Sequence, residues 1–267
     1  MSNRMPVLFV SHGAPTFALE PGLAGPELTR LGRQLPEPRA IVVISAHWMT
    51  RGTVSVTTSA EPATIHDFGG FPAPLYALQY PAAGAPDIAA RTLELLQQAD
   101  WPAAPDASRG LDHGAWVPLM HLYPDARIPV VQVSLPYPCD ADTALRLGKS
   151  LAPLRDEGVL LVGSGSLTHN LYEIRHPGSD ASEYVREFTD WTRRQVDTHD
   201  IPALLDYRRL APAAERAHPT EEHFLPLLVA AGATGDGEPT TIIDGGVDYG
   251  VLAMDTYVLG EFSTTAY

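Results

Sequence analysis

Along this chain, short continuous apolar runs alternate with longer stretches in which apolar residues recur every three or four positions. The runs lie at Pro6–Val10, Ala40–Ser45, Ile128–Leu135, Val159–Val162 and Thr240–Ile243. Each is rich in branched aliphatic residues, which predicts strands buried on both faces of a covered sheet. Helical spacing marks Asp87–Ala99, Asp142–Leu154 and the amphipathic Ser182–Val196. A further helix is predicted over Glu221–Ala231, with Thr220 as its N-cap and Glu221 and Glu222 in its first turn. Strands alternating with helices predict an α/β fold. The expected architecture is a single domain over residues 1–267, with a central mostly parallel or mixed sheet flanked by helices. Its site is expected at the C-terminal ends of the strands, where open α/β sheets bind ligands. The last segment, "GVLAMDTYVLGEF", predicts one more strand, at an edge.

No internal repeat, low-complexity linker or charge run divides the chain. Prolines and glycines gather in the connections, above all in "HDFGGFPAPLYALQYPAAGAP". An ordered loop of that length is usually a functional one. The start, "MSNRMPVLFVSHG", reads as a first strand rather than a signal peptide, because its apolar run meets a histidine and a turn. No run of roughly 18 apolar residues offers a membrane span.

Composition narrows the function. A net charge of −14, from 18 basic and 32 acidic residues, argues against nucleic-acid and anionic-membrane partners. A single cysteine, Cys139, makes neither an internal disulfide nor a cysteine-based zinc site, and fits a cytoplasmic, reducing compartment. The 10 histidines supply the side chain that both ligates metals and moves protons near neutral pH.

Their placement is patterned. "PVLFV" ends in Ser11-His12-Gly13, "AIVVIS" runs into Ala46-His47-Trp48, and "VLLVGSG" leads to Thr168-His169-Asn170. Three imidazoles are thus set beyond strand ends, and Gly13, Gly163 and Gly165 permit close backbone approach there. In "AHPTEEHFLPL", His218 and His223 stand five residues apart. That spacing leaves two helical side chains about 140° apart, so they are not expected to bind one ion as a helical pair. His218 is expected before the helix in a structural role, and His223 in the first turn facing the cleft. His113 follows Asp112 in "GLDHGAWVPL", and His66 lies in "TIHDFGGFP", a loop suited to covering a substrate. Other chemistries are missing: there is no G-x-x-x-x-G-K-[ST] loop and no HExxH, and "GSGSLTH" is neither G-x-S-x-G nor G-x-G-x-x-G.

Six motifs occur in order over nearly the whole chain: "SHGAP", "SAHW", "IHDFGGFP", "DHGAW", "GSGSLTHN" and "HPTEEHFLPLL". Together they resemble the class III extradiol ring-cleaving dioxygenases (LigB-like), most closely the DOPA extradiol dioxygenase branch. The resemblance implies a divalent metal held by His12, His47 and His223, a catalytic His169 beside it, and His113 lining the substrate pocket. It implies a small aromatic diol, DOPA-like or related, cleaved with O2 to a semialdehyde. Trp48, His66, Phe68, Phe71 and Tyr249 are the candidates for substrate contact. The third ligand position departs from the usual two histidines and one carboxylate, since His223 occupies it with Glu222 alongside. Fe(II) is the ion expected for an oxygenase. Three imidazoles are also a zinc-like set, so the alternative is a Zn(II)-binding hydrolase or binding protein on the same scaffold.

Overall fold

The structure, a computed structural model, describes residues 4–262. Its strands are β1 (Val7–Ser11), β2 (Ala40–Arg51), β3 (Val54–Thr57), β4 (Ala103–Asp106), β5 (Val130–Tyr137), β6 (Val159–Gly165), β7 (Thr240–Ile243), β8 (Val247–Asp248), β9 (Leu252–Ala253) and β10 (Thr256–Leu259). Eight of them form one sheet in the order β4-β3-β5-β2-β6-β1-β10-β7, while β8 and β9 pair separately. The four central strands, β5-β2-β6-β1, are parallel. Antiparallel β10 joins β1 to β7 on one side, and β3 runs antiparallel to β5 on the other. The sheet is therefore mixed, with a parallel centre.

Every residue of β1 and β6 is buried, as their unbroken apolar runs require. The helices Pro86–Gln98, Ala141–Leu151 and Leu225–Ala233 pack on one face, and Ala24–Gln34 with His113–Leu122 on the other. Leu225–Ala233 is apolar around most of its circumference because it is buried between the sheet and the Ala141–Leu151 helix. Glu183–Asp197 instead buries one stripe, including Tyr184, Phe188, Trp191 and Val196, and leaves its charged face to water. Each large aliphatic side chain so buried contributes roughly 1.5–3 kcal/mol.

Register sets the site. Ser11 of β1 pairs with Gly165 of β6, and Ser45 of β2 pairs with Ser164. The three strands thus reach the same edge side by side. Contrary to the sequence reading, β2 does not stop at Ser45 but continues to Arg51, with a register shift against β5 between Ile44 and Met49. Such an irregularity re-aims side chains, and His47 falls within it.

Two other expectations are corrected. The Glu221–Ala231 helix begins only at Leu225, after a turn, with Pro226 among its first residues. Proline fits that first turn because it lacks the N–H that the helix leaves unused there. Thr220 is accordingly no N-cap, since its hydroxyl goes to Glu222 Oε1, and His223 precedes the helix. The final segment is not one edge strand. It divides into β9 and β10, and β10 lies inside the sheet.

Candidate metal centre

The parallel centre of the sheet brings five histidines to one edge: His12, His47, His113, His169 and His223. His12 follows β1, and its amide N–H donates to the Gly165 carbonyl at 2.9 Å, which ties it to the end of β6. His113 opens the His113–Leu122 helix, whose N-cap is Asp112. His169 and His223 sit on two segments sewn together by backbone hydrogen bonds. The Ser166 N–H donates to the His223 carbonyl at 3.0 Å and the His169 N–H to the Ala217 carbonyl at 2.8 Å. Gly165 makes that seam possible, because a Cβ there would collide with the His223 carbonyl. Gly114 plays the same part for His113, since a Cβ there would strike the Ser45 hydroxyl and crowd His47.

Ring geometry divides the five by role. His47 Nε2 lies 3.0 Å from His12 Nε2 and 3.3 Å from His223 Nε2. The opposite nitrogens are engaged from behind. His12 Nδ1 is 3.0 Å from Ser164 Oγ, and that hydroxyl gives its one proton to the Gly114 carbonyl. The hydroxyl must therefore accept from His12, so Nδ1 carries the proton and Nε2 is bare. His223 Nδ1 lies 3.2 Å from Glu222 Oε1, which fixes the same tautomer, and Asp67 Oδ2 stands 3.8 Å behind His47 Nδ1. Bare Nε2 lone pairs that face one another repel unless a cation lies between them. Two nitrogens each about 2.0–2.1 Å from one ion stand roughly 3.0–3.4 Å apart, so the donor set fits a divalent metal. Carboxylate or hydroxyl partners behind metal-binding imidazoles are the usual way such rings are held.

Electrostatics keep the donors ready. Burial, followed by the neighbouring histidines, pushes His12 and His223 well below the ordinary histidine range. Burial lowers His47 to about 4, aided by His113 and opposed by Asp112 and Asp67. Burial lowers His169 to about 4, with Glu222 opposing. At neutral pH these rings are uncharged, so protons do not compete with a metal.

His169 is stacked on His223, with centroids 3.4 Å apart and planes at 11°. The His113 ring lies 4.0 Å from that of His47 and 5.5 Å from that of His12. Potential ligands fall into two separate groups, His12-His47-His113 and His169-Glu222-His223, bridged by the His47–His223 contact. Phe68 meets His113 edge-on at 5.6 Å and Phe71 at 5.4 Å, building an aromatic wall beside the histidines. His66 belongs to that wall, 5.7 Å from the Phe68 ring, but turns its Nε2 to the Leu78 carbonyl. Trp48 is buried under the Arg109 guanidinium, and alternation along β2 turns it away from His47. The Tyr249 hydroxyl is bonded to Thr16 at 2.7 Å. Among the described residues no ring contact joins Trp48 or Tyr249 to the five histidines.

His218, as expected, stands apart from the centre. It is fully buried among Phe188, Tyr207 and Phe224, and its Nε2–H donates to the Leu167 carbonyl at 2.9 Å. Sequence reasoning missed Ser164, whose partner His12 lies 152 residues away. It saw Asp112 and Asp67 only as neighbours of His113 and His66, not their bonds to Ser45 and the His113 N–H across 67 and 46 residues. The acid beside His66 in a glycine-rich loop was the one local signal for Asp67.

Residues 26–257 match the family described as the catalytic LigB subunit of aromatic ring-opening dioxygenase. The chain is 43% identical over 268 residues to a 4,5-DOPA dioxygenase extradiol of Escherichia coli (strain K12), covering 97% of this chain and 96% of that protein. It is 38% identical to a 4,5-DOPA dioxygenase extradiol of Beta vulgaris, covering 98% of each. A crystal structure of an uncharacterized protein from Escherichia coli K12 superposes with a TM-score of 0.80 at 35% identity, over 96% of this chain and 100% of that one.

Proposed function

This chain belongs to the LigB family of aromatic ring-opening dioxygenases, and we propose that it cleaves a small catechol, DOPA-like in its substituents, with O2 at an extradiol bond. We assign the metal to His12, His47 and His223, and Fe(II) as the working ion. The observation that carries the reading is the approach of the His47 Nε2 to the Nε2 atoms of both His12 and His223, with His169 stacked alongside. When bound, the ion supplies Lewis acidity and redox capacity, and a place where diol oxygens and O2 meet.

The protein's own groups do the rest. Ser164 and Glu222 hold the His12 and His223 rings from behind, and the Asp67 carboxylate faces His47 at 3.8 Å. His169 is uncharged at neutral pH, because its pKa is lowered to about 4 by burial. It therefore has a ring nitrogen free to take the proton of a catechol hydroxyl, and returns that proton when the ring opens. His113, at the first turn of its helix, faces His12 and His47 and stabilises negative charge developing on oxygen. Phe68 and Phe71 pack against the substrate ring and exclude water on that side. A fourth tightly held imidazole would close the positions that diol and oxygen need, so His169 serves as acid–base group rather than ligand.

The test is an Fe(II)-loaded sample given a panel of catechols in air, with His169→Gln in parallel. A yellow semialdehyde product is expected from the wild type. The variant should retain its metal while turnover falls by about two to four orders of magnitude. No ring-opened product from any catechol overturns the function, and undiminished turnover by His169→Gln overturns the role of His169.

A further inference from the structure

The long connection after β3 carries Asp67 into the back of the histidine cluster. We propose that Asp67 is a positioning residue that sets the ring orientation and tautomer of His113 and His47 together through one carboxylate. Its Oδ1 accepts the His113 backbone N–H at 2.8 Å and lies 3.0 Å from His113 Nδ1, while its Oδ2 faces His47 Nδ1 at 3.8 Å. The grip on His113 is direct through its backbone N–H, whereas its Nδ1 lies close to the carboxylate but out of line for a hydrogen bond. The longer contact to His47 is electrostatic, since 3.8 Å exceeds a hydrogen bond. A carboxylate has no proton to give and its charge favours an N–H facing it, so the tautomer assigned to both rings is Nδ1–H, with Nε2 left bare. For His47 this is the nitrogen that meets His12 and His223. The anion also sits at the first amide of a 10-residue helix, where the helix dipole favours negative charge.

Asp67 is not itself a ligand in this arrangement. It stands on the Nδ1 side of His47, and the three ligand nitrogens meet on the other side. Its neighbour Phe68 packs edge-on against His113 at 5.6 Å. One residue thus latches the loop bearing the aromatic wall to the same two imidazoles it orients. The inference rests on the assignment of His47 as ligand and His113 as pocket histidine.

Asp67→Asn separates positioning from simple anchoring. The amide oxygen can still accept the His113 N–H, so the loop stays attached. The amide NH2 then replaces Oδ2 opposite His47 and presents a donor to Nδ1–H. That drives the His47 proton to Nε2, where it blocks the metal. The measurement is a Co(II) titration followed by the ligand-field spectrum, with thermal melting of the metal-free protein as a control. We expect unchanged melting, a 10–100-fold loss of Co(II) affinity, the range for a partner behind a ligand, and an altered spectrum. Wild-type affinity with an unchanged spectrum overturns the proposal. Nitrogen-15 NMR of the wild-type, metal-free imidazoles gives an answer that does not depend on the variant folding. Protonated Nδ1 on both His47 and His113 supports the proposal, and an Nε2–H form of either ring overturns it. Neither readout involves ring cleavage, so a protein that opens no catechol yet shows these results loses the proposed function and keeps this inference.

Discussion

β1 has a buried polar cluster beyond each of its ends, and the two are built on opposite logic. Before its start, the Arg155 guanidinium is almost wholly buried and almost fully answered. Its Nε donates to the Met5 carbonyl at 2.7 Å, Nη1 to the Ala233 carbonyl at 2.8 Å, and the same fork grips both Glu238 oxygens. Beyond its other end, His12 and His223 bring their Nε2 atoms to 3.0 and 3.3 Å from the Nε2 of His47. A buried polar group with its partners present stabilises the fold, whereas one left unanswered costs stability until something binds. The first cluster is internally satisfied, and the second is a set of donors that could hold a metal ion.

Substitutions should separate the two. The largest effect is expected from His47→Ala, measured by Co(II) or Zn(II) titration. Affinity should fall by more than about 1,000-fold, beyond what an orienting partner alone is worth. The melting temperature of the metal-free protein should hardly move, because the lost ring is partly exposed and its Nε2 faces only other imidazole nitrogens. Marked destabilisation of the metal-free form would erase the contrast. Next comes Arg155→Met, which removes the side-chain donor from two carbonyls and leaves Glu238 with only the Gly235 N–H and a longer contact to Arg4. It should cost about 3–5 kcal/mol in denaturant unfolding and leave the affinity of the folded protein for metal unchanged. A weakened metal site would show that the two ends of the sheet are coupled.

The smallest effect concerns His218, whose character lies between the two clusters. Its Nε2 is answered by Leu167, but Nδ1 has no partner, and burial holds its pKa down at about 3. Between that value and about 6.5, the ordinary histidine pKa, the unfolded chain takes up a proton that the folded protein refuses. Stability therefore rises with pH across this window and is lost as pH falls toward 3. His218→Gln, whose amide can still donate to the Leu167 carbonyl, should flatten the dependence in metal-free protein by at most about 1.4 kcal/mol per pH unit. Unfolding free energies at several pH values check this, and an unchanged slope would mean that His218 is not excluded from protonation by the fold.

The positions that sequence made legible are those where a local pattern breaks. His12, His47 and His169 each follow a β-branched run, and the structure brings all three to one edge, where ligands are expected in such sheets. The choice of His223 over His218 as the one in the cleft rested on helix geometry and on the family motif. The structure places His223 there even though the helix starts four residues later than expected. Pro226 decided that start, and a proline inside an apolar run is ambiguous without its surroundings. β4 escaped notice because "AAPD" has little strand propensity and is half-exposed. β10 resembled an edge strand because nothing in its own residues records that β7 pairs beyond it. Ser164 was illegible, and Asp67 visible only as the neighbour of His66, for a deeper reason. Their roles exist only through partners far along the chain, and no local period encodes such a contact.

The sheet order also determines when the site can come into being. His12 meets His47 across 35 residues of chain, and His47 meets His223 across 176. No fragment forms the trio through local contacts, and closing the longer loop carries an entropy cost that only neighbouring strand pairings repay. β6 must lie between β1 and β2 before their ends are level, and the turn bearing His223 must dock on Gly165 before the third nitrogen arrives. A growing chain thus offers its histidines singly, with little hold on any metal. On the proposed assignment, affinity would come only with the completed topology, and the free energy of holding an ion would then also be free energy of folding.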